Sequence, residues 1–240
     1  MEQTEIKQRI ESYRPYWWHR FVLPDGTEIK RDDSFAGTGR ENPYYPENVW
    51  ELVKDQVPQD LTGLKVLDIG SNAGWYSIRF CQMGADVTGI DICQDNINRA
   101  EQGRFIADLM LDGRQRKRIH FMNGDFLDLN EDDKPLPKVG EFDIVWFFGV
   151  YYHLPEHLKA FPKIVSLLEQ GGVLFLESAI ELKIREIPHG PGVSMSETHF
   201  VPTREYLEED LMNNGFEVVW VKEQNRGYAG HRIMIKAIKK

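Results

Sequence analysis

Cysteine is nearly absent. Cys81 and Cys93 are the only two in 240 residues, too few for a disulfide framework and without the spacing of a thiolate metal site. The histidines and acids show no H-x-x-x-H or comparable pattern, so no metal is expected. Positive charge is also short. Lys and Arg number 29 against 38 Asp and Glu, a formal charge of -9, so the chain as a whole repels a phosphate backbone and an extended nucleic-acid footprint is disfavoured. The one dense basic run, residues 113–118, precedes a strand at its amino end and reads as a solvated loop. Long apolar runs are missing too. The longest covers residues 142–154, well short of the roughly 20 residues that cross a bilayer, and residues 1–13 hold no apolar signal core. These absences together lead to the expectation of a reduced, cytoplasmic protein without a membrane partner. No internal repeat and no low-complexity tract is found.

What is present is ordinary globular material: 41% hydrophobic and 28% charged residues, with a length that suits one domain and a cap. Residues 1–60 form the expected N-terminal cap. They are rich in aromatics (Tyr16, Trp17, Trp18, Tyr44, Tyr45, Trp50). Residues 21–23 and 27–30 flank an Asp25-Gly26 turn, which predicts a short hairpin, and residues 47–57 between two prolines predict a helix. Trp17 is expected to bury the cap; the other aromatics either do the same or stack on a ligand. Residues 61–240 form the expected main domain. Strands are predicted at 65–69, 86–90, 118–122, 142–148 and 172–180, alternating with helices at 75–83, 94–111 and 156–168. A helix at 203–214, with Thr203 as N-cap and Gly215 at its end, leads into strands at 216–221 and 231–238. Alternation at this spacing means βαβ units and a doubly wound α/β fold with a mostly parallel sheet. The last two strands lack a helix between them and should close as an antiparallel hairpin.

In open α/β sheets a ligand lies beyond the carboxyl ends of the strands. The first strand ends Asp68-Ile69-Gly70-Ser71-Asn72-Ala73-Gly74. Gly70 permits a tight turn and Gly74 a close approach of the next helix. The pattern is not G-x-G-x-x-G, and it suits a nucleoside with an amino-acid tail better than a pyrophosphate. The second strand ends in Asp91, followed by Ile92. Asp91 stands 21 residues after Gly70, where an acid meets ribose hydroxyls. After the third strand, Asp125 could accept from an adenine amine and Phe126 could offer the ring an apolar face. The fourth strand ends at Phe148 and opens into Gly149-Val150-Tyr151-Tyr152-His153. His153 could take a proton from an acceptor or hold it, and Tyr151 and Tyr152 could face a cation. Each of these residues also has a plain structural reading: Asp91 and Asp125 as loop or capping acids, His153 as a core or capping histidine.

Together the four strand ends resemble the class I S-adenosylmethionine-dependent methyltransferases, from about Leu64 onward. The resemblance implies a seven-stranded sheet with an antiparallel final hairpin and S-adenosyl-L-methionine as cofactor. It assigns Asp68, Gly70, Ser71, Asn72 and Gly74 to the methionine part, Asp91 and Ile92 to the ribose, and Asp125 and Phe126 to the adenine, with Phe148 also against the cofactor. A narrower resemblance rests on 149–153, Leu176-Glu177, Pro191-Gly192 and 198–203. These are similar to the tRNA wobble-uridine carboxymethyltransferase group and its small-molecule relatives. That group uses a carboxylated cofactor held by a tyrosine matching Tyr152 and by basic residues that no motif locates here. His19-Arg20-Phe21 with Leu23-Pro24-Asp25-Gly26 looks more like the shorter relatives.

The expectation is therefore methyl transfer to a small-molecule acceptor, with His153 and Tyr152 as catalytic candidates. Alternatives are tRNA wobble-base modification and a non-catalytic binding subunit of the same fold. A homo-oligomer is left open. The long loop at 181–197 reads as part of a lid, and Glu177, His199 and His231 are further candidates to reach the site.

Overall fold

The computed structural model describes residues 2–13, 17–30, 46–92, 98–181, 200–225 and 231–240, and the backbone at 185–186. The first elements are α1 (Gln3–Ser12), the two-stranded hairpin β1 (Phe21–Val22) and β2 (Glu28–Ile29), and α2 (Pro46–Val53). There follow β3 (Lys65–Ile69), α3 (Trp75–Gln82), β4 (Asp86–Asp91), α4 (Arg99–Met110), β5 (Ile119–Asn123), β6 (Phe142–Phe148), α5 (Ala160–Leu167) and β7 (Leu168–Ile180). The chain closes with the short pair β8 (Arg185–Glu186) and β9 (Phe200–Val201), then α6 (Arg204–Asn213), β10 (Phe216–Asn225) and β11 (His231–Lys239).

Seven strands make one sheet in the order β10-β11-β7-β6-β3-β4-β5. The β3–β6, β6–β7 and β4–β5 pairs are parallel, while β11 runs antiparallel to both β7 and β10. This is the mostly parallel seven-stranded sheet with an antiparallel final hairpin that the sequence predicts. Val66 through Ile69 and Ile144 through Phe147 are buried without alternation, as strands covered on both faces must be.

By contacts the chain divides into two compact units, residues 1–62 with 71–123 and residues 63–70 with 124–240. In the first, the N-terminal segment packs on α3 and α4. Trp17 is 1% exposed and its indole N–H donates to the Ile10 carbonyl at 3.0 Å. Its ring meets Tyr13 edge-on at 5.6 Å, and Tyr13 lies 6.0 Å from Phe105 of α4. Trp17 thus serves packing, as expected. The ring of Phe121 on β5 occupies a slot lined by glycines. A Cβ on Gly74, Gly89 or Gly103 would stand 2.6, 2.8 or 2.7 Å from it, so α3 and α4 approach their strands only because these side chains are missing.

In the second unit α5 is shorter than the predicted 156–168 helix. Residues His157–Lys159 form a 3-10 turn, and the α-helix begins at Ala160. Pro162 falls in its first turn, where an N–H has no intrahelical partner to lose. Strand β7 begins four residues before the predicted Gly172, because Leu168 already pairs with Phe142 ahead of the left-handed Gly171. Helix α4 starts at Arg99, with the Asn98 side chain accepting from the Glu101 N–H. The earlier part of the predicted 94–111 helix, together with Cys93, lies outside the described residues.

Candidate active site

In the first unit the turn into α3 and the end of β4 meet. Asn72 adopts a left-handed φ of 50°, and its backbone N–H donates to Asp91 Oδ2 at 2.7 Å. Its side-chain oxygen accepts from the Ala73 N–H at 2.8 Å. The Ser71 N–H donates to the Ile90 carbonyl at 3.1 Å. Asn tolerates this conformation better than most residues, so the turn closes without a third glycine. Burial pushes the Asp91 carboxyl up to about 6, against the hydrogen bond from Asn72, the charge of Arg99 and the Ile92 N–H. Two backbone donors leave the carboxylate, which has about four lone-pair sites, room for further hydroxyl donors. Ile92 is half-buried beside it. Gly74 has φ 84° and directly precedes α3.

In the second unit Asp68 is 1% exposed near the end of β3 and Gly70 follows with φ 75°. A Cβ on Gly70 would stand 2.2 Å from Val150 Cγ2, so the turn presses against the loop after β6. Asp125 is exposed and accepts from the Leu127 N–H at 3.0 Å, capping its own 3-10 turn. Phe126 is 4% exposed and tilts against Phe147 at 5.5 Å. Phe148 is half-buried and stacks on Trp146 at 3.9 Å.

The loop after β6 forms a 3-10 turn, Tyr151–His153, whose two tyrosines diverge. Tyr151 is fully buried, stacks on Phe161 at 5.1 Å and donates to Asp210 Oδ2 at 3.2 Å. Burial and then the Asp210 charge hold its hydroxyl far above the ordinary tyrosine range. It is a core residue, and the expectation that it faces a ligand cation is corrected by its complete burial. Tyr152 is half-buried. Its hydroxyl accepts from Arg232 Nη2 at 3.0 Å, and the guanidinium lies 4.5 Å from its ring centroid. His153 stands beside it with ring centroids 4.2 Å apart.

Arg232 was missed in reading the sequence. It is 5% exposed and makes a bidentate pair with Glu177, 3% exposed, at 2.7 and 2.8 Å. The register puts Met234 opposite Glu177 and Ala179 opposite Arg232, so the two charges are diagonal neighbours on one face. Burial opposes the Arg232 charge, but Glu177 and Tyr152 outweigh it and hold the guanidinium above its usual range. The signal was there: a lone acid in Leu174-Phe175-Leu176-Glu177 and a lone base before Ile233-Met234-Ile235. Buried charges in two apolar strands demand each other. Glu177 is thus engaged with Arg232, His231 is exposed on β11, and His199 lies outside the described residues with most of the predicted lid. In the basic run, Arg116 pairs with Asp108 and Arg118 donates to the Gly84 carbonyl. No group of His, Cys, Asp and Glu able to hold a metal occurs among the described residues, and no helix among them is long and apolar enough to cross a membrane.

Residues 42–221 match a family model described as a methyltransferase domain. The chain is 30% identical to a tRNA U34 carboxymethyltransferase of Campylobacter hominis, over 68% of this chain and 55% of that protein. It is 28% identical to a ubiquinone biosynthesis O-methyltransferase of Actinobacillus pleuropneumoniae, over 74% of this chain and 65% of the relative. It thus spans about half the length of the carboxymethyltransferases it matches. The structure of magnesium protoporphyrin IX methyltransferase from Synechocystis PCC 6803 with bound SAM superimposes with a TM-score of 0.57 at 23% identity, covering 81% of this chain and 77% of that one, which shows a shared fold. With a family match over three quarters of its residues, the chain belongs to the methyltransferase-domain family, the class I S-adenosylmethionine-dependent methyltransferases.

Proposed function

We propose that this chain transfers the methyl group of S-adenosylmethionine to a small-molecule acceptor, and that Asp91 is its ribose-binding acid. The observation that carries the reading is the Asn72 N–H held on Asp91 at 2.7 Å. It ties the turn suited to the methionine part to the acid suited to the ribose, and leaves the carboxylate able to accept from ligand hydroxyls. The cofactor supplies an activated methyl on a sulfonium, a good leaving group, so the residues need mainly to orient the partners and exclude water. Asp68, Gly70, Ser71 and Gly74 shape the turn. Asp125 and Phe126, after β5, and Phe148, at the end of β6, are assigned to the adenosine by their place. Tyr152, whose hydroxyl accepts from Arg232, is assigned to orient the acceptor. His153 beside it is the base where the acceptor nucleophile carries a proton.

The net charge of -9 and the O-methyltransferases among the relatives support a small acceptor over tRNA. The test is a panel of phenolic, amine and carbon acceptors with the purified protein, alongside a tRNA gel shift at low salt. Methylation within the panel without tRNA binding supports the proposal; a salt-sensitive tRNA complex without methylation overturns it. A second reading draws on Arg232. The wobble-uridine group holds a carboxylated cofactor with a tyrosine matching Tyr152 and basic residues, and here a buried arginine does stand on Tyr152. The mass of the ligand carried through purification separates ordinary from carboxylated cofactor.

A further inference from the structure

Glu47 lies in the first turn of α2, where a carboxylate suits the helix dipole. That accounts for one of its oxygens, which its own backbone N–H serves. It does not account for Oε2, which is buried with no hydrogen-bond partner among the described residues. A buried acceptor without a donor is costly and uncommon in native proteins. Arg20 is the cation whose charge reaches Glu47, and it is already committed to Glu28 at 2.5 Å.

Two separate sets of contacts place Glu47 toward the start of α3. Trp50, one turn after Glu47, lies 6.5 Å from Trp75 and 5.9 Å from Phe80, with the Arg79 guanidinium 5.3 Å from its ring. Lys54, one turn further on, senses Arg79. Helix α2 therefore runs alongside α3 with its first turn on the Trp75 side. From the other direction, Arg20 acts on Glu47 while the neighbouring His19 lies 6.5 Å from Tyr76. Trp75 and Tyr76, 5.1 Å apart, are the first residues after the Ser71–Gly74 part of the turn. A buried carboxylate oxygen lacking a donor suits an ammonium group.

We infer that Glu47 receives the α-ammonium group of the cofactor's amino-acid tail. The inference rests on the proposed S-adenosylmethionine reading, since the turn before α3 is the part assigned to that tail. Its test needs no knowledge of the acceptor. Titration calorimetry compares S-adenosylhomocysteine, which carries the tail, with 5′-methylthioadenosine, which lacks it. Glu47→Gln should weaken S-adenosylhomocysteine by about 10- to 100-fold, the range of a charge-assisted hydrogen bond, and leave methylthioadenosine within about twofold. Asp91→Ala, acting at the ribose, should weaken both. Equal loss of both ligands in Glu47→Gln, or no loss of either, overturns the assignment of Glu47 while the Asp91 result still stands. Failure of the unmodified protein to bind either ligand would instead remove the underlying reading. Unfolding curves for each variant separate lost binding from lost fold, and Glu47→Asp provides a second, charge-retaining variant whose partial recovery of tail binding is expected.

Discussion

Replacing Asp91 with Asn should make the ligand-free protein more stable at neutral pH while removing cofactor binding. Burial raises the Asp91 carboxyl to about 6, from an ordinary value of 3.8. Between those values the folded protein binds a proton that the unfolded chain releases, so stability falls as pH rises from about 4 to 6 and then levels off. About two pKa units correspond to about 3 kcal/mol, an upper limit for a half-buried group. Asn keeps an oxygen for the Asn72 N–H and carries no charge to desolvate. Asp91→Asn should therefore unfold at higher temperature at pH 8, by about 2–4 °C per kcal/mol for a chain of this size, with the gain shrinking to nothing near pH 4. The assay is thermal unfolding from pH 4 to 8, paired with calorimetry of S-adenosylhomocysteine. Affinity in the parent should weaken below about pH 6, where the carboxyl takes up its proton, and be lost at every pH in the variant. A variant destabilised at pH 8, or one that binds as tightly as the parent, refutes the reasoning. Such an exchange of stability for binding is a common mark of a functional site.

Arg232→Met should cost about 3–5 kcal/mol in urea unfolding, because it leaves Glu177 charged and buried without its partner; a loss under 1 kcal/mol would mean that the pair is loose in solution. Gly70→Ala should cost about 2–4 kcal/mol through left-handed strain and the contact with Val150, and should also weaken S-adenosylhomocysteine; unchanged values for both would remove Gly70 from the turn's constraints. Tyr151→Phe keeps the stack on Phe161 and loses the hydroxyl's interactions with Asp210 and Tyr206, so a loss of about 1–2 kcal/mol is expected by the same unfolding assay. His153→Ala should lower turnover with near-normal cofactor affinity once an acceptor is found; unchanged turnover assigns His153 a structural role.

The sheet was legible because its strands are short apolar runs at regular spacing, and because the predicted final strands, 216–221 and 231–238, are too close in sequence for a crossover helix, which calls for an antiparallel ending. Thr203 as N-cap was equally plain, and its hydroxyl accepts from the Tyr206 N–H at 3.2 Å. Boundaries set by pairing were not. Leu168 belongs to β7 because Phe142 lies opposite it, which no local pattern shows. The Asn72–Asp91 contact was not legible either, although both residues were placed at strand ends. The two adjacent tyrosines could not be told apart by type, since a 3-10 turn sends one to the core and one to Arg232. Arg232 needed the cross-strand register to be connected with Glu177, although its isolation in an apolar strand was visible.

The most direct measurement is a crystal structure of the protein grown with S-adenosylhomocysteine. The ribose hydroxyls should lie within hydrogen-bonding distance of the Asp91 carboxylate, with the amino-acid tail following the turn that ends at Gly74. A nucleoside seated elsewhere, with Asp91 untouched, would contradict it.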